Sequence, residues 1–330
     1  MQQAATTAGT PLRAPSARPI RIRKPGLGDP IFRVVAAAAA FFVLISLGAA
    51  ALSMFYGGLP AFAKFGFGFI YRSAWDPVRQ DFGALVPIFG TLVTSALAMV
   101  IAVPVSFGIA VFLTEVSPNW LRGPVAAAIE LLAGIPSIIY GMWGLFVFVP
   151  FMSDHIEPWL IEHVGPLPLI GILFDGPPLG IGMLTAGIIL GVMVIPFISS
   201  VMRDVFSLVP TPLREAAFGL GATRWEVIRG VALPYTRTAV VGGIFLGLGR
   251  ALGETMAVTF VLGNAHQLKA SLLEPGNSIA AAIANEFTEA DSEIYLSSLI
   301  GLGFLLFVVT FIVLASAKIM LMRLGRAEGA

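Results

Sequence analysis

Six long, uninterrupted apolar runs leave this chain few ways to fold. They cover roughly residues 32–56, 84–113, 125–151, 180–206, 236–262 and 295–321. Each exceeds the ~20 residues a helix needs to cross a hydrocarbon core. In lipid every backbone N–H and C=O must be satisfied inside the protein, so only helices or a closed barrel can span. Barrel strands alternate apolar and polar positions, whereas these runs are continuous. The expected fold is an all-α polytopic membrane protein with six transmembrane helices. Composition agrees. The chain is 57% hydrophobic and 12% charged, against about 25% charged for a soluble average.

Charge placement orients the spans. With the N-terminus inside, the inner segments hold fifteen Lys/Arg and the outer ones four (Lys64, Arg72, Arg79 and Lys269); Arg250 lies within a span. This bias predicts cytoplasmic N- and C-termini. Residues 1–30 read as a disordered basic cytoplasmic tail, 31–84 as an anchor helix and external loop, 85–322 as the main transmembrane domain, and 323–330 as a second cytoplasmic tail. The apolar run after the N-terminal tail is too long for a signal-peptide core. Gly57-Gly58 open the first external loop, where Tyr71 and Trp75 fit an interfacial belt. The external loops 152–180 and 263–294 are acidic, with Glu157 and Glu286 among their carboxylates.

Several chemistries are excluded or disfavoured. There is no cysteine, so disulfides, thiolate catalysis and Cys-based metal sites are ruled out. His155, His163 and His266 lack metal-ligand spacing and read as surface residues of external loops. No metal and no cofactor is expected. No basic stripe interleaved with aromatics is present, so no nucleic acid is expected as a partner. An ATP-binding loop would end in Gly-Lys-Ser/Thr, but the four lysines precede Pro, Phe, Ala and Ile. If ATP drives this protein, its hydrolysis would therefore belong to another chain.

The most informative polar segment is the inner loop 208–236. Pro210 and Pro212 stop the preceding helix. Thr211 is expected to cap a short helix with Glu215 in its first turn. Leu213, Ala216, Ala217 and Leu220 form one apolar strip, and Gly219 and Gly221 end the helix. Thr223 and Glu226 make a capping box for a second helix, which Pro234 is expected to end. The spacing Glu215-Ala216-Ala217, then Gly221, then Val231, Leu233 and Pro234 resembles the signature loop of ABC importer permeases, with Val231 where that pattern has Ile. The resemblance implies a type I ABC importer permease (MetI-like) bundle whose loop docks on a separate ATPase. An ordinary interfacial helix pair is the plain alternative.

A second segment is the fifth run, where Arg250 and Glu254 stand four residues apart, hence on one face of a continuous helix. Gly243, Gly247 and Ala257 share that stripe and would let a neighbour approach closely. An ionised group at mid-bilayer costs about 2.5–3.5 kcal/mol. Either the pair neutralises itself and locks packing, or Arg250 meets a passing anion and Glu254 competes for the guanidinium. Glu130 reads as a partner of Arg122 or a loop arginine. Ser137 and Tyr140, beside Pro136, are either pathway hydroxyls or backbone caps.

Three motifs carry a closer resemblance: Gly247–Val258, Glu130–Gly141 and Gly90–Ser95 are similar to those of phosphate-specific ABC importer permeases of the PstC type, over roughly residues 30–322. PstA-type permeases are similar too; the N-tail and Glu254 favour PstC. The resemblance implies a bacterial inner-membrane location, Arg250 and Glu254 in phosphate passage, and four kinds of partner besides the lipid bilayer and inorganic phosphate. These are a PstA-like second permease, two PstB-like ATPase subunits and a periplasmic PstS-like binding protein. The alternatives are a sulfate or molybdate importer, a secondary transporter driven by an ion gradient, and an intramembrane enzyme.

Overall fold

The structure, a computed structural model, describes residues 28–326. Most of the expected tails, residues 1–27 and 327–330, lies outside the described residues. The chain forms two compact units, divided after Ala50. The described part of the first is the opening of helix α1 (Gly28–Phe65). There every side chain from Pro30 to Ala50 is exposed.

The second unit begins at Ala51. After the end of α1 and a short hairpin of β1 (Trp75–Asp76) and β2 (Asp81–Phe82) come α2 (Leu85–Val116) and α3 (Asn119–Ala133). Then follow α4 (Ser137–His163), α5 (Met183–Ser207), α6 (Thr211–Gly219) and α7 (Arg224–Leu252). The last elements are α8 (Met256–Leu262), α9 (Ile279–Glu286) and α10 (Glu293–Arg326). Among the described residues six helices are long and apolar enough to cross a bilayer: α1, α2, α4, α5, α7 and α10. The six-helix expectation holds, and three boundaries move.

First, α1 runs through Gly57, Gly58 and Pro60 to Phe65 instead of ending near residue 56. Ser297 Oγ accepts the Ala61 N–H at 2.9 Å, which satisfies the backbone beside Pro60 from α10. Second, the third span is α4, about twelve residues later than the apolar run suggested. Gly134, Ile135 and Pro136 separate it from α3, which stops where the proline cannot continue the ladder. Third, Pro234 does not end a helix. It sits in the first turns of a helix that continues to Leu252.

One device recurs before four of the prolines. Widened π-helical turns at Phe112–Val116, Gly144–Phe148, Met152–Ile156 and Ile228–Ala232 each end two residues before a proline: Pro118, Pro150, Pro158 and Pro234. A proline ring collides with the carbonyl four residues back and offers no N–H. Opening the turn to an i→i+5 pattern removes that collision. At Pro118 the helix ends; at the other three it runs on.

The core is built on α5, the most buried span. Ala186, Leu190, Val194 and Ile198 on it meet Ala98 and Ala102 on α2, and Ser106 Oγ donates to the Ile195 carbonyl at 3.1 Å. Small side chains allow the close approach that holds helices together where lipid supplies no hydrophobic drive.

A second cluster closes one end of the unit, around Phe69, Phe82, Tyr295 and Leu299. Two expectations change here. His266 is not a surface residue: its side chain is 18% exposed and its Nε2 lies 2.7 Å from Glu286 Oε1. Trp75 stacks on that imidazole with ring centroids 5.0 Å apart and donates Nε1–H to Glu286 Oε2 at 2.6 Å, so it is a packing residue rather than a belt anchor. Tyr295 donates its hydroxyl to the same oxygen at 2.7 Å. Burial alone would raise the Glu286 pKa, but the hydrogen bonds from His266, Tyr295 and Trp75 hold it below its ordinary value. Glu157 is likewise no loop carboxylate. It is buried in α4 and accepts the Gly180 N–H at 2.7 Å.

Because Glu286 releases its proton more readily folded than unfolded, its contribution is present above the ordinary glutamate pKa of about 4.3 and lost as pH falls further. Glu286→Gln should lower unfolding stability by about 1–3 kcal/mol and flatten the acid limb of a tryptophan-fluorescence unfolding profile; an unchanged profile would contradict this network.

Candidate functional site

The loop 208–236 folds into two helices joined at a sharp turn. Thr211 is the first residue of α6 and Pro210 the cap, with no side-chain capping bond. The proline's extended backbone takes the cap position that Thr211 was expected to fill. Helix α6 ends at Gly219, and Gly221 then adopts φ +88°, a left-handed conformation that glycine enters without steric cost. Thr223 starts α7 with the expected capping box: Glu226 Oε2 accepts the Thr223 N–H at 2.7 Å, and the Glu226 N–H reaches Thr223 Oγ1 at 3.4 Å.

No residue of α6 is fully buried. Glu215, Ala216 and Gly221 are exposed and Ala217 half-buried. The apolar strip faces outward: Leu213 and Phe218 are about half exposed, and Leu220 is 91% exposed. Trp225, on the first turn of α7, extends it at 60%. Phe218 and Trp225 were not singled out in the sequence because hydrophobicity does not tell an exposed aromatic from a buried one. Leu233 is half-buried and Pro234 exposed, one helical stretch away from the turn.

The second site is a break, not a helical face. Helix α7 stops at Leu252, and α8 starts at Met256. Glu254 falls in the break, so the pair does not share one continuous helix. Its N–H donates to the Ala251 carbonyl at 3.3 Å, and its Oε1 accepts the Ala257 N–H at 3.3 Å. The carboxylate thus supplies an acceptor for the otherwise unsatisfied start of α8. Gly243 and Gly247 are buried against Val201 and Ile198 of α5. Arg250 lies off that stripe, exposed, with its guanidinium 5.6 Å from the Phe197 ring centroid.

Among the described residues no carboxylate pairs with Arg250, whereas other arginines have such partners. Arg203 meets Glu130 and Asp204 at 2.9 Å, which makes Arg203 rather than Arg122 the partner of Glu130. Arg250 also lies close enough to Tyr140 to act on it electrostatically. Tyr140 donates its hydroxyl to the Leu132 carbonyl at 3.0 Å, bridging the break between α3 and α4. Ser137 is half-buried at the start of α4 and makes no capping bond. Phe197 had no sequence signal beyond hydrophobicity. A cleft of about 730 Å³, lined by Gly249, Gly253, Phe307, Phe311 and Leu314, is mostly apolar, with Thr310 and Lys318 as its polar members.

This architecture, with an exposed loop of two short helices under a bundle of broken spans, is that of a multi-pass membrane transport permease. The pattern of the family described as "Binding-protein-dependent transport system inner membrane component" matches residues 102–326, and the chain belongs to that family. It is 63% identical over 301 residues (91% of this chain, 93% of that protein) to the phosphate transport system permease protein PstC of Xylella fastidiosa. It is 53% identical over 315 residues (96% of each) to the PstC of Mesorhizobium japonicum. With the probable PstC of Methanocaldococcus jannaschii it shares 37% over 288 residues (86% of this chain, 90% of that protein). The resemblance to PstC-type permeases therefore spans most of the chain. Solved structures show the fold. A chain of a bacterial alginate ABC transporter superposes with TM-score 0.58 at 20% identity, covering 90% of this chain and 97% of that one. A chain of the MetNI methionine transporter does so at 0.50 and 18%, covering 72% and 91%. The bundle is of the MetI-like, type I ABC importer class.

Gly221→Val would force a β-branched side chain into a left-handed backbone at a cost of about 1–2 kcal/mol, and Thr223→Ala would remove a cap worth about 1 kcal/mol. Amide hydrogen exchange should speed up in the first turns of α7 for both variants, leaving α5 unchanged; unaltered exchange at residues 223–228 would contradict the turn geometry.

Proposed function

We propose that this chain is one membrane subunit of an ATP-driven phosphate importer in a bacterial inner membrane, with both termini cytoplasmic. It would enclose the translocation pathway with a homologous, PstA-like second permease. A PstS-like binding protein would deliver inorganic phosphate on the outer side, against the carboxylates that remain exposed there, Glu162 and Glu289 among them. Two PstB-like ATPase subunits would bind on the inner side, one of them on Glu215, Ala216, Ala217 and Gly221 and the apolar surface of Leu213, Phe218, Leu220 and Trp225. The identity of the relatives supports the substrate, and the outward-facing strip supports the ATPase contact.

The observation that carries this reading is Arg250: a guanidinium on a membrane-spanning segment, exposed on this chain, and without a carboxylate partner among the described residues. A charge in that setting costs about 2.5–3.5 kcal/mol unless it faces a polar pathway. The planar fork of arginine donates two parallel hydrogen bonds to a phosphate. Glu254, on the adjacent break, would release the anion by approaching the guanidinium when the break changes shape. Tyr140 and Ser137 would border the same passage from α4. Bond chemistry is left to the ATPase.

Arg250→Gln should reduce phosphate uptake by the reconstituted complex by about tenfold to a hundredfold, the value of one or two charge-assisted hydrogen bonds. ATPase association should survive. Glu254→Gln should impair release and turnover more than phosphate binding. Wild-type uptake by both variants in an intact complex would reduce the pair to a structural element.

A further inference from the structure

The exposed helix α6 poses a mechanical problem. It is the element on which the ATPase is proposed to act, yet none of its residues is fully buried. Behind it lies a cavity of about 500 Å³, lined by Thr114, Asn119, Arg122, Arg203, Ser207 and Arg214 among others. A helix standing over such a gap has no close-packed interface through which to push. The three arginines are already engaged: Arg203 is neutralised by Glu130 and Asp204, Arg214 by Glu115, and Arg122 donates to the Thr114 and Ser117 carbonyls.

What crosses the gap is Arg214. Its Nη2 donates to the Phe206 carbonyl on α5 at 2.6 Å and lies 3.2 Å from Glu115 Oε1 on α2, an ion pair by distance that is not aligned as a hydrogen bond. The two side chains are only 20% and 9% exposed. Glu115 belongs to the π-helical turn that ends α2, and Arg122 holds the same end from α3 by donating to the Thr114 and Ser117 carbonyls at 3.1 and 3.3 Å. One guanidinium therefore ties α6 to both α2 and α5. These two helices interlock through Ala98, Ala102, Ala186 and the Ser106–Ile195 hydrogen bond. Helix α5 in turn carries Phe197, the ring beside Arg250.

We infer that the Arg214–Glu115 ion pair is the strut that carries motion of α6 into the α2–α5 core, in parallel with the covalent route through α7. This rests on the proposal that an ATPase docks on α6. Both are positioning residues: neither touches the passing anion. A buried pair is stiff because separating it leaves an uncompensated charge, and α6 has no fully buried apolar side chain to share that load.

The test uses the whole complex of this chain with its second permease, ATPase and binding protein, reconstituted in vesicles, with radiolabelled inorganic phosphate as the probe. Uptake and ATP hydrolysis are measured on the same preparation, and retention of the ATPase is checked by co-purification. Arg214→Gln and Glu115→Gln should each keep the ATPase bound and hydrolysing while phosphate moved per ATP falls about tenfold. The double variant should be no worse than either single one, because the two residues act as a unit. Arg214→Lys, which keeps the charge, should recover much of the loss. Uptake per ATP within about twofold of wild type in both Gln variants would overturn the strut, as would a loss that merely tracks ATPase dissociation or that Arg214→Lys does not relieve. If instead the wild-type complex takes up no phosphate on adding ATP, the proposed function fails, and the strut with it.

Discussion

Unsatisfied backbone is what a membrane chain can least tolerate, and most features of this structure answer that constraint. A free N–H or C=O in hydrocarbon costs several kcal/mol. Yet the chain carries 23 prolines and 36 glycines, many of them inside spans. It meets the constraint in three ways. Widened turns precede Pro150, Pro158 and Pro234, so the helix continues past each ring. Side chains from neighbours complete the ladder, as Ser297 does at Ala61 and Tyr140 does at Leu132. At the break after Leu252, Glu254 serves the first free N–H groups of α8. Irregular backbone at membrane depth is tolerated where protein or a polar pathway surrounds it, so the break beside Arg250 and the proposed route of the anion are two aspects of one constraint.

The charges follow a related logic. Arg203 and Arg214 have carboxylate partners within 3.2 Å, and Arg122 caps the carbonyls at the end of α2. All three hold helices together beneath the core. Among the described residues Arg250 has only an aromatic ring and a nearby phenol. An arginine whose hydrogen-bonding capacity is left open suits a transient anionic partner. On the proposed function the same contrast would separate a device for transmitting movement, which stays paired, from one for contacting cargo, which does not.

The architecture was legible because lipid imposes a long, continuous apolar signal, and four of the six runs locate a span within a few residues at one end or both; the fifth, 236–262, falls on a helix that already starts at Arg224 and stops at Leu252. The third misled because the apolar stretch from residue 125 includes α3, a separate helix cut off by Gly134 and Pro136. Hydropathy does not distinguish a helix lying beside the bundle from one crossing the membrane. The capping box at Thr223 was legible because it is a local device within four residues. Pro234 was misread because the widened turn that accommodates it has no residue signature. The i,i+4 spacing of Arg250 and Glu254 suggested one face, but the break at Gly253–Thr255 intervenes. Glu286, His266 and Trp75 lie far apart in sequence and meet only through the tertiary fold, so no spacing rule could have joined them. Glu115 was invisible for the same reason, since its partner stands in a different helix.

On the proposed function this chain is driven: it would supply a pathway and a docking helix, and the energy would come from nucleotide hydrolysis on another polypeptide. The most direct measurement is uptake of inorganic phosphate by sealed vesicles holding the purified complex, with the ATPase present or absent and with ATP or an imposed proton or sodium gradient as the only energy source. Uptake should require the ATPase and ATP together, and neither gradient should replace them. Accumulation powered by a gradient in vesicles lacking the ATPase would contradict the claim.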